Sequence, residues 1–158
     1  MSSNRTTNNY ELFDYLKKYG KKFGGVMMKD EMFRLKPNGK FWIINLDDSS
    51  GGGSHWCLLA DKINNDCCMW IDPYGVYPPP EVVEFMKKSK ASHLLFNKTQ
   101  YQDLESTNCG YFCIYFAEQL LNGKVYDYGL KEEDDLEKND KLLNKKYINK
   151  GGEIKKVV

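Results

Sequence analysis

The order of apolar and polar positions along this chain predicts a set of short helices and strands. Apolar residues at helical spacing predict a first helix that is capped by Asn9 and ends at Gly20. Mostly apolar runs predict buried strands at 40–46, 55–61, 67–71 and 93–96. The middle two strands are joined by a short polar turn, so we expect them to form a hairpin.

Two further stretches predict helices beside these strands. Pro78–Pro80 is followed by 81–88, where acids come early and lysines late, as the helix macrodipole favours. The stretch 109–121 is apolar nearly all round, which is typical of a buried helix. Phe23–Val26, in contrast, predicts a lead-in to a turn and a short helix or loop. Together these elements predict an α+β fold with a central mixed or antiparallel sheet flanked by helices.

The chain is expected to hold one domain and a short extension. Its 158 residues suit a single core, and 41% of them are hydrophobic. We place the domain at 1–128, because 129–158 changes to lysine, glutamate, aspartate and asparagine with few apolar residues. That charged C-terminal extension is predicted to be either an amphipathic helix or a mobile tail.

Charge and cysteine content narrow the function classes. The net charge of +1 gives no reason to expect nucleic-acid binding by the whole domain, although Lys17, Lys18, Lys21 and Lys22 form a local cluster. That cluster is either a solvated helix end or a weak DNA contact. Five cysteines without an export signal predict free thiols in a reducing compartment, and no run approaches the length of a membrane span. We therefore expect an intracellular monomer without a membrane anchor.

Cys109 is the candidate nucleophile, because it opens the buried helix 109–121. Asn108 is a plausible N-cap, which puts Cys109 at the first helical position. The unpaired N–H groups and positive dipole end there favour an anion such as a thiolate. A cysteine at such a position also needs a histidine to accept its proton.

Candidate partners for the thiol lie upstream in the chain. His55 opens a strand after a glycine-rich loop, whereas His93 lies inside an apolar strand, so His55 is the better general base. Asp72 ends the hairpin that His55 begins and is predicted either to orient the imidazole or to cap a turn with Pro73. Gln102 is either solvated or, with the N–H of Cys109, an oxyanion donor.

At this point the residues resemble the adenovirus-type (adenain-like) cysteine proteases, and more closely those of virophages, Polinton-like elements and large DNA viruses. These enzymes share a fold with SUMO-deconjugating proteases. The matching motifs are Gly51–Trp56, Ile71–Gly75, Gln102 and Cys109–Cys113, in the family's order and spacing. The adenovirus enzyme has Glu where this chain has Asp72.

The resemblance implies a catalytic site and a function. It makes Cys109 the nucleophile, His55 the general base, Asp72 its orienting acid and Gln102 the oxyanion donor. The predicted substrate-binding positions are Gly53, Ser54, Trp56, Asn108 and Gly110. The implied function is cleavage of capsid or virion precursor proteins at Gly-Gly-X sites, in the virion, host-cell cytoplasm or viral factory. No cofactor is required by the sequence, and the family suggests an activating DNA or peptide.

Other interpretations stay open at this stage. Ubiquitin-like modifiers also end in Gly-Gly, so a deubiquitinating or deSUMOylating isopeptidase is an alternative. A non-catalytic virion or nucleic-acid-binding protein that uses the lysine clusters is another. A metal site is not expected, because the cysteines lack the usual ligand spacing. Gly151-Gly152 is hypothesised to be a self-processing site.

Overall fold

A computed structural model describes residues 8–35, 39–47, 49–50, 55–104, 106–124, 128–132 and 135–148. Four predicted positions, Gly53, Ser54, Gly151 and Gly152, lie outside the described residues. No helix in the described part of the chain is long and apolar enough to span a bilayer.

A five-stranded mixed sheet forms the centre of the fold. Its strands are β1 (Phe23–Met28), β2 (Phe41–Asn45), β3 (Trp56–Asp61), β4 (Cys67–Ile71) and β5 (His93–Phe96). They lie side by side in chain order. The outer pairs, β1 with β2 and β4 with β5, are parallel, while β2, β3 and β4 are antiparallel neighbours.

The described residues also form the α-helices α1 (Asn9–Leu16), α2 (Pro80–Lys88), α3 (Cys109–Leu121) and α4 (Glu137–Leu143). Two 3-10 helices, Lys17–Lys22 and Lys29–Arg34, follow α1 and β1, and a π-helical turn, Asn144–Ile148, continues α4. The predicted cap of α1 was wrong by one residue. The side chain of Asn8, not Asn9, accepts the N–H of Glu11, and the Glu11 carboxylate accepts the N–H of Asn8 in return.

The sheet is covered on both faces because neighbouring side chains of a strand point to opposite sides. Phe41 and Ile43 belong to the larger core, with residues of α1 and α3. Trp42 and Ile44 belong to the second core, with Val82 and other residues of α2. The predicted α+β fold with helices flanking a mixed sheet is confirmed, and α3 is the helix buried against its centre.

β1 is the element that the sequence did not predict. Its Gly-Gly pair favours a loop, yet the strand forms because Gly24 allows Trp42 to pack across it. A Cβ at Gly24 would lie only 1.9 Å from Trp42 Nε1. The glycine is therefore required by the close approach of an indole ring from the neighbouring strand.

The hairpin of β3 and β4 sets the geometry of the candidate site. Because the two strands are antiparallel, the residue before β3 and the residue after β4 lie at the same edge of the sheet. Those residues are His55 and Asp72. α3 packs on β3, so the fold combines three predicted catalytic residues from separate parts of the sequence.

We expect Gly24→Ala to lower the free energy of unfolding by about 1–3 kcal/mol, the usual cost of overpacking. The cause is the clash with the indole of Trp42. Urea denaturation of Gly24→Ala, Trp42→Leu and the double variant measures it. The cost of the alanine should shrink in the Trp42→Leu background, and two fully additive effects would contradict the clash.

Candidate active site

His55 and Asp72 form a buried pair at the edge of the sheet. The Nε2 atom of His55 lies 2.7 Å from Oδ1 of Asp72, a hydrogen-bond distance. The two residues are 8% and 1% exposed, so water competes little for this bond. The structure thus brings together two residues that the sequence predicted to act as base and orienting acid.

Asp72 is held from several directions. The backbone N–H of Tyr74 donates to the same Oδ1 at 2.8 Å. Asn97 binds the Asp72 backbone on both sides, since its Oδ1 accepts the Asp72 N–H at 2.8 Å and its Nδ2 donates to the Asp72 carbonyl at 2.6 Å. Gly75 closes the turn with φ +78°, where a Cβ would lie 2.7 Å from the Lys98 carbonyl oxygen. The carboxylate is therefore fixed before any substrate arrives.

Cys109 is the first residue of α3, as predicted, and only 3% of it is exposed. Its thiol is close enough to the ring of His55 to raise the pKa of that ring through a hydrogen bond. Because Nε2 of that ring is bound to Asp72, Nδ1 is the ring atom left for the sulfur. The order thiol, imidazole, carboxylate is the arrangement used in nucleophilic catalysis.

The pKa of His55 reports the balance of forces in this pair. Burial is the largest single influence and lowers it, because the charged ring is desolvated. Hydrogen bonds to Asp72 and Cys109, together with the charges on these groups, raise it by more. The net result is a pKa raised from 6.5 to about 9. The imidazolium form is therefore favoured at neutral pH.

Tyr74 covers the imidazole. Its ring stacks on that of His55 with centroids 4.3 Å apart and an interplanar angle of 17°. Burial, followed by the nearby Cys109 and Asp72, raises the pKa of the Tyr74 hydroxyl. A flat, neutral ring over a cationic imidazole excludes water and favours its charge.

The loop that leads into α3 carries two of the predicted site residues, Gln102 and Asn108. Gln102 is fully buried, and its Nε2 donates to Ser106, at 3.0 Å to the carbonyl oxygen and 3.3 Å to Oγ. Asn108 stands at the N-cap position of α3, but its side chain makes no capping hydrogen bond. Its Nδ2 donates instead to Asp140 at 2.9 Å and to Asn144 at 3.0 Å. The predicted N-cap position of Asn108 is confirmed, while its side-chain amide binds these two acceptors.

The hydrogen bonds of the Gln102 side chain go to Ser106, so its role as oxyanion donor stays a prediction. Trp56 is 5% exposed and packs in the same core as Cys109. Gly110 is the second residue of α3 and is also buried. The substrate-binding roles of Trp56, Asn108 and Gly110 stay predictions as well.

Comparison with solved structures gives the fold a known counterpart. The chain shares the fold of the ASFV pS273R protease. The TM-score is 0.53 at 14% identity, over 78% of this chain and 64% of that one. At this identity the likeness shows the fold alone, and this chain spans 64% of that protease's length.

Two other matches score lower. The central domain of the uncharacterized Lpg1148 protein from Legionella pneumophila has a TM-score of 0.47 at 12% identity, over 92% of both chains. The Ulp1-like SUMO protease catalytic domain of Chaetomium thermophilum has a TM-score of 0.42 at 15% identity, over 78% of this chain and 66% of that one. No protein-family model and no curated protein matches the chain. The resemblance to the adenain and virophage branch stays a prediction.

His93 is the histidine that does not reach the site. It opens β5 and pairs with Cys67 at the start of β4, whereas Asp72 follows the end of β4. At about 3.3 Å per residue, the two positions are roughly 16 Å apart. The preference for His55 over His93 therefore agrees with the position of Asp72.

His55, Cys57 and Asp72 form a group of ligand-type atoms within 4.8 Å of one another. Such a donor set can bind zinc. Here, however, the atoms of His55 and Asp72 that would face a metal bond each other directly. Burial, with smaller effects from Asp72 and the other thiols, holds the pKa of Cys57 well above its ordinary value. The geometry therefore fits an acid–base pair with a neutral thiol beside it.

Four residues of the site were missed by sequence reasoning: Tyr74, Asn97, Ser106 and Asp140. Asn97 had a usable signal, because it follows β5 as Asp72 follows the parallel strand β4. Ser106 had a weaker one, since a serine two residues before Asn108 can accept its N–H, as it does at 3.1 Å. Asp140 is far away in the sequence and had no local signal.

We expect the ring of His55 to titrate by NMR with a midpoint near pH 9. The folded ring binds its proton more tightly than the unfolded one. Its contribution to stability is therefore complete below about pH 6.5 and is lost as the pH rises through about 9. Asp72→Asn should lower the midpoint, because it removes the negative charge beside the ring. The spectrum of His93→Gln identifies which histidine signal belongs to His55. An unchanged midpoint in Asp72→Asn would contradict this account.

Proposed function

We propose that this chain is a cysteine endopeptidase in which Cys109 attacks, His55 transfers protons and Asp72 orients His55. One observation carries the proposal: the buried imidazole of His55 bonds Asp72 through Nε2 at 2.7 Å, and the Cys109 thiol at the start of α3 is near enough to raise the pKa of the same ring. The shared fold with the ASFV pS273R protease supports it.

The proposed reaction has two stages. The Cys109 thiolate forms a C–S bond to the scissile carbonyl, and the electron pair of the C=O bond moves to oxygen. The His55 imidazolium gives its Nδ1 proton to the leaving nitrogen as the C–N bond breaks, which leaves a thioester. The neutral ring then takes a proton from water, whose oxygen attacks the thioester and releases the thiolate. Asp72 keeps Nε2 protonated throughout.

The oxyanion is assigned to donors at the start of α3. The backbone N–H of Cys109 is one, since the first N–H groups of a helix have no partner within it. The second is one hydrogen of Gln102 Nε2. That amide carries two hydrogens, and the weaker of its contacts, 3.3 Å to Ser106 Oγ, is the one to be exchanged for the oxyanion.

The proposed substrates are protein segments with Gly-Gly-X motifs, as in capsid or virion precursors. The site supports this choice because Cys109 is 3% exposed and Tyr74 covers the ring of His55. Only a backbone without side chains fits closely to such a recessed sulfur. The proposal includes action by a monomer in the virion, host cytoplasm or viral factory. It also includes stimulation by DNA or a peptide, with Lys17 and its neighbours as a weak DNA contact.

We expect the wild type to cleave fusion proteins with a Gly-Gly-X linker, and Cys109→Ala to lose roughly 10⁴-fold or more. The loss follows from removing the atom that forms the acyl bond. Cleavage is followed by gel electrophoresis and mass spectrometry, with and without DNA. His55→Ala should be similarly impaired.

Matched controls come from residues of the same type elsewhere in the chain. Cys67→Ala, at the turn end of the hairpin, and His93→Ala, beside it on β5, should cleave like the wild type. A linker with Ala-Ala in place of Gly-Gly should be cut poorly. Faster cleavage of ubiquitin-like fusions than of virion-type linkers would favour the isopeptidase alternative. Equal cleavage by wild type and Cys109→Ala would refute the proposal.

A further inference from the structure

Ser106 joins the residues of the loop before the nucleophile. Its Oγ donates to Asp140 Oδ1 at 2.6 Å and accepts the backbone N–H of Asn108 at 3.1 Å. Its carbonyl oxygen accepts Gln102 Nε2 at 3.0 Å and the Tyr74 hydroxyl at 3.4 Å. This one residue therefore links the proposed oxyanion donor, the ring over His55 and the residue before Cys109.

Asp140 anchors this network from outside the loop. Its Oδ1 accepts both the hydroxyl of Ser106 and, at 2.9 Å, the Nδ2 of Asn108. One carboxylate oxygen thus holds the loop at two points just before the nucleophile. Hydrogen bonds to an ionised acceptor are about twice as strong as neutral ones.

The side-chain amides of Gln102 and Asn108 are held through their nitrogen atoms. Within the described residues, Gln102 Oε1 and Asn108 Oδ1 are buried without a hydrogen-bond partner. The nitrogen and the oxygen of each side-chain amide can be told apart, because Gln102 faces a carbonyl oxygen and Asn108 faces a carboxylate, and both of these only accept. Both side chains are consequently oriented by donation toward Ser106, Asp140 and Asn144.

The helix that carries Asp140 is itself fixed to the domain. Asn139 is 2% exposed and donates to the carbonyl of Tyr101 at 2.8 Å, directly before Gln102. Leu143 is fully buried in the main core. Asp140 therefore lies on a helix that is held by contacts other than its own bonds to Ser106 and Asn108.

We propose that Asp140 is a positioning residue for the reaction, acting through Ser106 and Asn108 to hold the oxyanion-binding loop. The inference rests on the proposed function. It makes α4, from the predicted C-terminal extension, part of the catalytic apparatus. Asp140 touches neither substrate nor thiol, and its effect falls on where the Gln102 amide and the Cys109 N–H point.

Two reactions of the same sulfur separate this role from a general loss of structure. Peptide cleavage builds negative charge on a carbonyl oxygen and needs the loop. Alkylation by iodoacetamide displaces iodide from a saturated carbon, builds no oxyanion, and needs only the thiolate. Loss of Asp140 should therefore slow the first reaction and spare the second.

The test compares Asp140→Ala, Asp140→Asn and Ser106→Ala with Glu137→Gln, an exposed carboxylate on the same helix. We expect Asp140→Ala to lower kcat about 10- to 100-fold, since misplacement of about 1 Å costs up to that much. KM and the alkylation rate should change by less than about threefold, because neither depends on stabilising the oxyanion. Asp140→Asn should restore most of kcat, because its Oδ1 can accept the same two hydrogen bonds. Glu137→Gln should behave as wild type.

Ser106→Ala should reproduce the effect, and the double variant Asp140→Ala/Ser106→Ala should be no worse than either single one, because the two act as a unit. If Asp140→Ala does not fold, Ser106→Ala and Asp140→Asn carry the same comparison. If the wild type cleaves and every variant has the same kcat, this inference is overturned and the proposed function is not. Equal losses of cleavage and alkylation also overturn it. A wild type that alkylates but cleaves nothing overturns the proposed function and this inference with it.

Discussion

The hydrogen bond between His55 Nε2 and Asp72 Oδ1 is the interaction on which the rest of the site depends. It fixes the tautomer of the ring, leaves Nδ1 for the thiol and raises the pKa of His55 against the effect of burial. The hairpin of β3 and β4 brings the two residues to one edge, and Asn97 holds the acid in place there. Packing of α3 on the same hairpin then supplies the sulfur.

The parts of the fold that could be predicted from the sequence are those with a local cause. Apolar runs separated by turn residues identified the hairpin, and prolines with ordered charges identified α2. Cys109 was recognised because a polar loop meets an apolar helix at that residue. Asp72 followed from the same hairpin, since Pro73 ends the strand there. Each of these features is encoded by residues that lie close together in the sequence.

The features that were missed depend on partners distant in the sequence. The glycines of β1 suggest a loop until Trp42 is placed beside Gly24. Asn108 is the N-cap residue that the sequence predicted, but nothing in the sequence indicated that its side-chain amide binds Asp140 and Asn144. Neither result follows from local preference, because tertiary contacts decide between two chemically reasonable uses of the same side chain. The choice between a helix and a tail in the C-terminal extension was open for the same reason. A segment with few apolar residues can form a packed helix when its polar side chains hydrogen-bond to the core.

The location of Asp140 has a consequence for synthesis. Translation proceeds from the N-terminus, so the histidine, the acid and the cysteine all leave the ribosome before the helix that anchors their loop. A domain generally folds as a unit. The contacts of Asp140 with Ser106 and Asn108 cannot form until α4 has been synthesised. A chain cut short before α4 would keep His55, Asp72 and Cys109 in its sequence but lose the carboxylate that holds the loop before α3.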